Sequence, residues 1–146
     1  MRHLCDSNVL LASILPSHPH YGRARKWIHS LGPSDRIVLC RQTQLTFLRL
    51  MTTEAILKED ARTNSQALSI WETIASQTRC EFLAGEPAGL QSQWLRLANL
   101  PKPSPKIWMD AFLSAFAMGH RFRLVTFDRG FETYRKAGLD LLLLDG

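Results

Sequence analysis

The sequence predicts a single α/β domain built on a parallel sheet. Three observations lead there. Short apolar runs alternate with segments of helical periodicity along the chain, two of those runs stop abruptly on an aspartate, and 146 residues suit one domain with a real core. Alternation of this kind lays strands side by side through right-handed crossovers.

Taken in order, Arg2-His3-Leu4-Cys5 is a buried strand ending on Asp6. Helical spacing resumes with Val9, Leu10, Leu11, Ile14 and Leu15, for which Ser7 or Asn8 is a fitting cap. Pro16 to His20 is a turn. Tyr21 to Leu31 carries Tyr21, Ala24, Trp27, Ile28 and Leu31 at helical spacing and is stopped by Gly32-Pro33. Arg36 to Cys40 is the second strand, followed by Thr43 as a cap and a helix through Leu45, Leu48, Leu50 and Met51, with Gln44 in its first turn. Thr52 to Asp60 reads as irregular. Ala61 to Gln77 is a longer helix with Ala67, Leu68, Trp71, Ile74 and Ala75 apolar, a candidate dimer surface.

Cys80 to Ala84 is the third strand, and Ala88 to Leu100 a helix with Leu90, Trp94, Leu97 and Ala98 apolar. Pro101-Lys102-Pro103-Ser104-Pro105-Lys106 is a stiff basic loop, because each proline fixes its own backbone and biases its predecessor toward an extended form. Ile107 to Met118 is the most apolar helix, closed by Gly119, and it carries one charge, Asp110. Phe122 to Phe127 is the fourth strand, which repeats the first by ending on an acid, Asp128. A short helix from Arg129 to Lys136 and a fifth strand, Leu141 to Leu144, complete the chain.

A formal charge of +5 and a pI near 9.5 favour a polyanionic partner without choosing among RNA, DNA and an acidic protein. Cys5, Cys40 and Cys80 are odd in number, lack metal-type spacing and suit a reducing compartment as small buried hydrophobes. Neither a signal-like opening nor a run of membrane-spanning length is present, so the expectation is a soluble, cytoplasmic protein with no membrane association. His18 and His20 share a turn with no nearby acid or cysteine, which makes a poor metal site.

Asp6 alone is equally a helix cap or a ligand. If Asp6 and Asp128 end adjacent strands and the Asp110 helix leads into the second of them, three carboxylates converge at one crevice of the sheet, where ligands bind in open parallel sheets. Their repulsion is relieved most simply by a hard divalent cation, Mg²⁺ or Mn²⁺, which takes oxygen ligands, neutralises phosphate charge and activates water. Metal-dependent phosphodiester hydrolysis is the chemistry expected. The plain alternative is a set of unrelated caps and surface acids.

The segments Asp6-Ser7-Asn8-Val9-Leu10, Gln42-Thr43-Gln44-Leu45-Thr46-Phe47-Leu48-Arg49-Leu50, Asp110-Ala111-Phe112-Leu113-Ser114-Ala115 and Leu124-Val125-Thr126-Phe127-Asp128-Arg129-Gly130-Phe131, in that order, resemble the PIN domain. The likeness is greatest to the VapC toxins of bacterial VapBC toxin-antitoxin pairs and runs over residues 1–146. It implies a five-stranded parallel sheet between helices and a Mg²⁺- or Mn²⁺-dependent ribonuclease cutting structured RNA such as tRNA or rRNA. A VapB-like antitoxin and a homodimer are also implied. Asp6, Asp110 and Asp128 match the family's metal-binding acids and Thr126 a polar residue beside them, while Ser7 or Asn8 would orient Asp6 or a water.

Many members carry a glutamate near the start of the helix that follows the second strand, and the matching position here is read as Gln44, whose amide brings no charge and no base. On this reading the three acids hold one metal, Gln44 positions the attacking water or a weaker second metal, and Arg41, Arg49, Lys102, Lys106 and Arg129 hold the RNA backbone. A haloacid-dehalogenase-like phosphatase also opens with a strand-end Asp, but Asn8 stands where its second Asp belongs. The alternative from another class is a catalytically weak PIN-like module that binds RNA or protein without cutting.

Overall fold

The computed structural model describes residues 1–144; Asp145 and Gly146 lie outside the described residues. Five parallel strands, β1 (Arg2–Cys5), β2 (Arg36–Leu39), β3 (Cys80–Phe82), β4 (Arg123–Thr126) and β5 (Leu141–Leu143), form one sheet in the order β3-β2-β1-β4-β5. The order reverses at β1, which pairs with β2 through Leu4 opposite Val38 and with β4 through Leu4 opposite Leu124 and Cys5 opposite Val125. Strand alternation divides the core between the two faces. Leu4, Val38 and Leu124 point to one side, Cys5, Ile37, Leu39 and Val125 to the other.

The first face is covered by α6 (Leu90–Ala98) and α7 (Ile107–His120), the second by α1 (Ser7–Ile14), α2 (Tyr21–Ser30), α3 (Arg41–Met51) and α5 (Asn64–Ala75). A short α4 (Glu54–Leu57) and a 3₁₀ turn, Lys58–Asp60, occupy the stretch expected to be irregular. No helix among the described residues is long and apolar enough to cross a membrane.

Several boundaries differ from expectation for identifiable reasons. Asp6 itself takes the cap position of α1, with extended backbone angles and a carbonyl that accepts from the Val9 and Leu10 amides; Ser7 and Asn8 are helical, so neither is the cap. Thr43 lies inside α3, whose cap position is Cys40, and its hydroxyl donates instead to the Cys5 carbonyl at 3.4 Å. The helix from residue 61 starts later, where Thr63 and Gln66 form a reciprocal capping box. Nor does Gly119 end α7: the helix continues through His120, and Arg121 takes the left-handed conformation at φ 61°. Gly119 serves close packing, since a Cβ there would lie 2.5 Å from Pro87 Cγ.

Candidate active site

The crevice beside the carboxyl ends of β1 and β4, where the strand order reverses, is the position at which open α/β sheets take ligands. A cleft of about 250 Å³ opens there, and Asp6, Asp110 and Asp128 all line it, brought together from the end of β1, the first turn of α7 and the end of β4. Of the supporting residues, Ser7 and Asn8 line it too.

A polar network holds two of the acids. The Thr126 hydroxyl, fully buried, donates to Asp6 Oδ2 at 2.7 Å and accepts from Asn8 Nδ2 at 3.2 Å and from the Asp128 amide at 3.0 Å. All of its hydrogen-bonding capacity is thereby used. Asn8 Oδ1 accepts from the Phe127 amide at 3.3 Å, so α1 is tied across to the end of β4. Ser7 Oγ donates to Asp6 Oδ1 at 3.4 Å. Asp128 Oδ1 accepts from the Gly130 amide at 2.8 Å, which starts the 3₁₀ helix Arg129–Ala137 and leaves Oδ2 to the cleft side.

Lys106 bridges the remaining charge. Its ammonium hydrogen-bonds Asp128 Oδ2 and lies 3.7 Å from Asp110 Oδ2. Loss of solvent pushes Asp110 up to about 6, with Lys106 pulling it down and the charges of Asp128 and Asp6 adding to the rise. Burial also raises Asp6, against the hydroxyl of Thr126 and the amide of Ser7. Burial acts upward on Asp128 as well, but the hydrogen bonds from Lys106 and Gly130 outweigh it and hold the group below its ordinary value. Lys106 is raised, first by its hydrogen bond to Asp128.

The chemistry of this donor set suits a cation. Three carboxylates offer hard oxygen donors, two are destabilised as anions, and an exposed lysine already lends a positive charge between two of them. Among the described residues no three His, Cys, Asp or Glu side chains are closed into a finished ligand cluster. By donor type, Asp6, Asp110 and Asp128 are the residues that would hold a hard divalent ion here.

The fourth corner differs from expectation. Gln44 does not line the cleft; it accepts a hydrogen bond from Arg41 on the outer flank of α3. Gln42, Thr43, Thr46 and Arg49 form the wall that α3 presents. The signal was available: at about 100° per residue, Gln42, Thr46 and Arg49 share one flank of the buried Thr43-Phe47-Met51 stripe and Gln44 takes the other. Met109, Leu113 and Phe131, also unforeseen, complete the lining. Of the basic residues expected at the rim, Arg49 and Lys106 face the cleft. Arg41 lines a neighbouring groove, and Lys102 and Arg129 are exposed and outside both linings.

Comparison with known proteins agrees with this fold. The PIN domain profile matches residues 4–137. Ribonuclease VapC41 of Mycobacterium tuberculosis is 38% identical over 144 residues, covering 97% of each chain. Among solved structures, VapBC-1 from nontypeable Haemophilus influenzae superposes with a TM-score of 0.67 at 14% identity over 100% of both chains. VapC20 of Mycobacterium tuberculosis, described as a sarcin-ricin loop cleaving toxin, superposes with a TM-score of 0.66 at 17% identity, covering 94% of this chain and 95% of its own.

Proposed function

The chain belongs to the PIN domain family, among the VapC ribonucleases, and from that premise we propose that it is the toxin of a VapBC-type pair, a Mg²⁺- or Mn²⁺-dependent endoribonuclease acting on structured RNA such as tRNA or rRNA. The observation that carries the reading is the convergence of Asp6, Asp110 and Asp128 on one cleft at the reversal of strand order. A divalent ion held by these acids supplies charge neutralisation at a phosphodiester and an activated water for in-line attack.

The chain's own residues prepare that chemistry. Thr126 fixes the Asp6 carboxylate through Oδ2 and the Asp128 backbone through its amide, so the two strand ends move as one. Asn8 locks this corner from α1. Lys106, with most of its side chain in solvent, compensates the acids while the cleft is empty of other cations; on its flexible stem it can swing to a phosphate oxygen once they are otherwise neutralised. Arg49 adds a second cation on the α3 wall.

The net charge of +5 supports a polyanionic substrate. We also place in this reading a VapB-like antitoxin, a homodimer in which α5 and its exposed Leu68 contribute to the contact, and a cytoplasmic location. One observation favours the second reading, a weakly catalytic binding module: α3 presents Gln42 and Thr46 to the cleft and no carboxylate.

RNA cleavage that appears with Mn²⁺, disappears with chelator and is abolished by Asp6→Asn separates the two. Cleavage undiminished in Asp6→Asn from a clean preparation overturns the assignment of the site, and RNA binding without cleavage in the wild type selects the binding module.

A further inference from the structure

Beside the acid cleft runs a second, apolar groove of about 380 Å³. Leu45, Trp94, Trp108, Phe112 and Phe116 supply most of its wall, with Arg41 and Glu86 among its polar members. Gln42 and Met109 line both the groove and the cleft, so the two are neighbours.

Trp108 is the feature that nothing in the fold explains. It stands in the first turn of α7 with 53% of its surface exposed, although it is a large apolar side chain. Its position is nevertheless fixed: Trp94 Nε1 donates to the Trp108 carbonyl at 2.8 Å, and the two indoles meet edge-on at 6.5 Å. Trp94 in turn packs at 5.7 Å against Phe112, one turn further along α7. A rigid, half-open indole costs little entropy when a flat partner settles on it. Where the groove meets the cleft, the polarity changes. Gln42 Nε2 donates to the Met109 carbonyl at 3.0 Å, while Gln42 Oε1 is buried without a partner, an acceptor in need of a donor. Arg41, its guanidinium 5.0 Å from the centre of the Phe82 ring, adds a planar cation.

An aromatic wall, a polar end and the planar cation of Arg41, next to the acid cleft, match a nucleobase: apolar on its faces, hydrogen-bonding at its edge and linked to a phosphate. We propose that this groove is a nucleobase subsite, in which an unstacked base of the RNA adjoining the scissile phosphate lies against Trp108 with its polar edge toward Gln42. The subsite rests on the nuclease reading above for what lies next to it. It restricts the substrate: a base paired within a duplex cannot reach Trp108, so cleavage falls in loops, bulges or single strands.

The test is a cycle between Trp108 and the base, run in chelator so that binding is measured without cleavage. Wild type, Trp108→Ala and Trp108→Phe are titrated with a fluorescently labelled single-stranded RNA, and with a set of the same RNA made abasic at one position at a time. Trp108→Ala is expected to bind intact RNA about ten- to a hundredfold more weakly. Trp108→Phe should recover most of that loss. One abasic RNA should bind wild type and Trp108→Ala alike, which marks the base that stacks. Circular dichroism confirms that each variant is folded.

Equal affinity of wild type and Trp108→Ala for intact RNA overturns the subsite, as does a loss of the same size with every abasic RNA. Unchanged RNA affinity with lost binding of the protein made by the neighbouring gene also overturns it, by assigning the groove to that partner. Failure of the nuclease reading shows itself separately, as wild-type protein that cuts no RNA with Mn²⁺ whatever the cycle reports.

Discussion

Gln42 and Gln44 are two residues apart and chemically identical, yet only one of them lines the cleft of the acids. The difference is rotational: two residues on a helix are about 200° apart, and the buried stripe of Thr43, Phe47 and Met51 decides which flank faces the cleft. Thr46, a turn beyond Gln42 on the same flank, is therefore the place at which α3 can add a carboxylate to the site. Thr46→Glu should tighten Mn²⁺ binding about tenfold, or about 1.4 kcal/mol, measured by calorimetry, because a fourth hard ligand is added to three. Gln44→Glu, pointing with Arg41 away from the cleft, should leave the affinity where it was. Equal tightening by both changes would count against this orientation of α3. The three aspartates were legible in the sequence because each ends an apolar run or interrupts an apolar helix. Gln42 and Thr46 were not, since motif position was followed where helix phase was the deciding quantity.

At the scale of elements, the alternation of apolar runs and helical spacing located every strand, because buried parallel strands and amphipathic helices leave different periodicities. What escaped depended on contacts distant in sequence. Residues 54–57 form α4 without a single buried side chain, so no apolar stripe marks it. Gly119 was read as a helix stop because glycine often is one, whereas its role is set by Pro87, 32 positions earlier in the chain. An alanine at an ordinary helical glycine gains up to about 1 kcal/mol. Here its Cβ would meet Pro87 Cγ at 2.5 Å and Cβ at 2.7 Å, and overpacking of that kind costs about 1–3 kcal/mol. The clash should win, so Gly119→Ala is expected to lower the melting temperature by several degrees. Adding Pro87→Gly removes the obstructing ring and should return most of the loss; a Gly119→Ala protein that melts higher than wild type on its own would refute the close approach.

At the scale of the molecule, the cleft gathers negative charge in a chain whose net charge is +5, and protons or a divalent ion are alternative ways of relieving it. Asp110 is held at about 6 against an ordinary 3.8. Below that point the folded protein takes up a proton that the unfolded chain does not yet bind, so stability is gained as pH falls through about 6. Asp6, also raised by burial, acts in the same sense. His3 acts oppositely: burial lowers it, the unfolded chain is protonated first below 6.5, and stability is lost on acidification. Asp35, held near 2 by the N-terminal ammonium and the Gly32 amide, contributes fully above 3.8 and loses that contribution only as pH falls from there toward 2, which is outside this window. His18, also lowered by burial, acts with His3, so two raised carboxyls stand against two lowered imidazoles and the contribution of Asp110 is read as a difference between wild type and a variant. In chelator, the wild-type melting temperature should therefore gain on that of Asp110→Asn between about pH 7.5 and about pH 5.5. Asp110→Asn carries no titrating group at this position and should lack that gain. Saturating Mn²⁺ favours the ionised acids, so with the ion present stability should instead increase with pH. A scan of melting temperature against pH with and without Mn²⁺ reads all three slopes, and identical slopes in wild type and Asp110→Asn would mean that the crowded acids are not what sets the pH response.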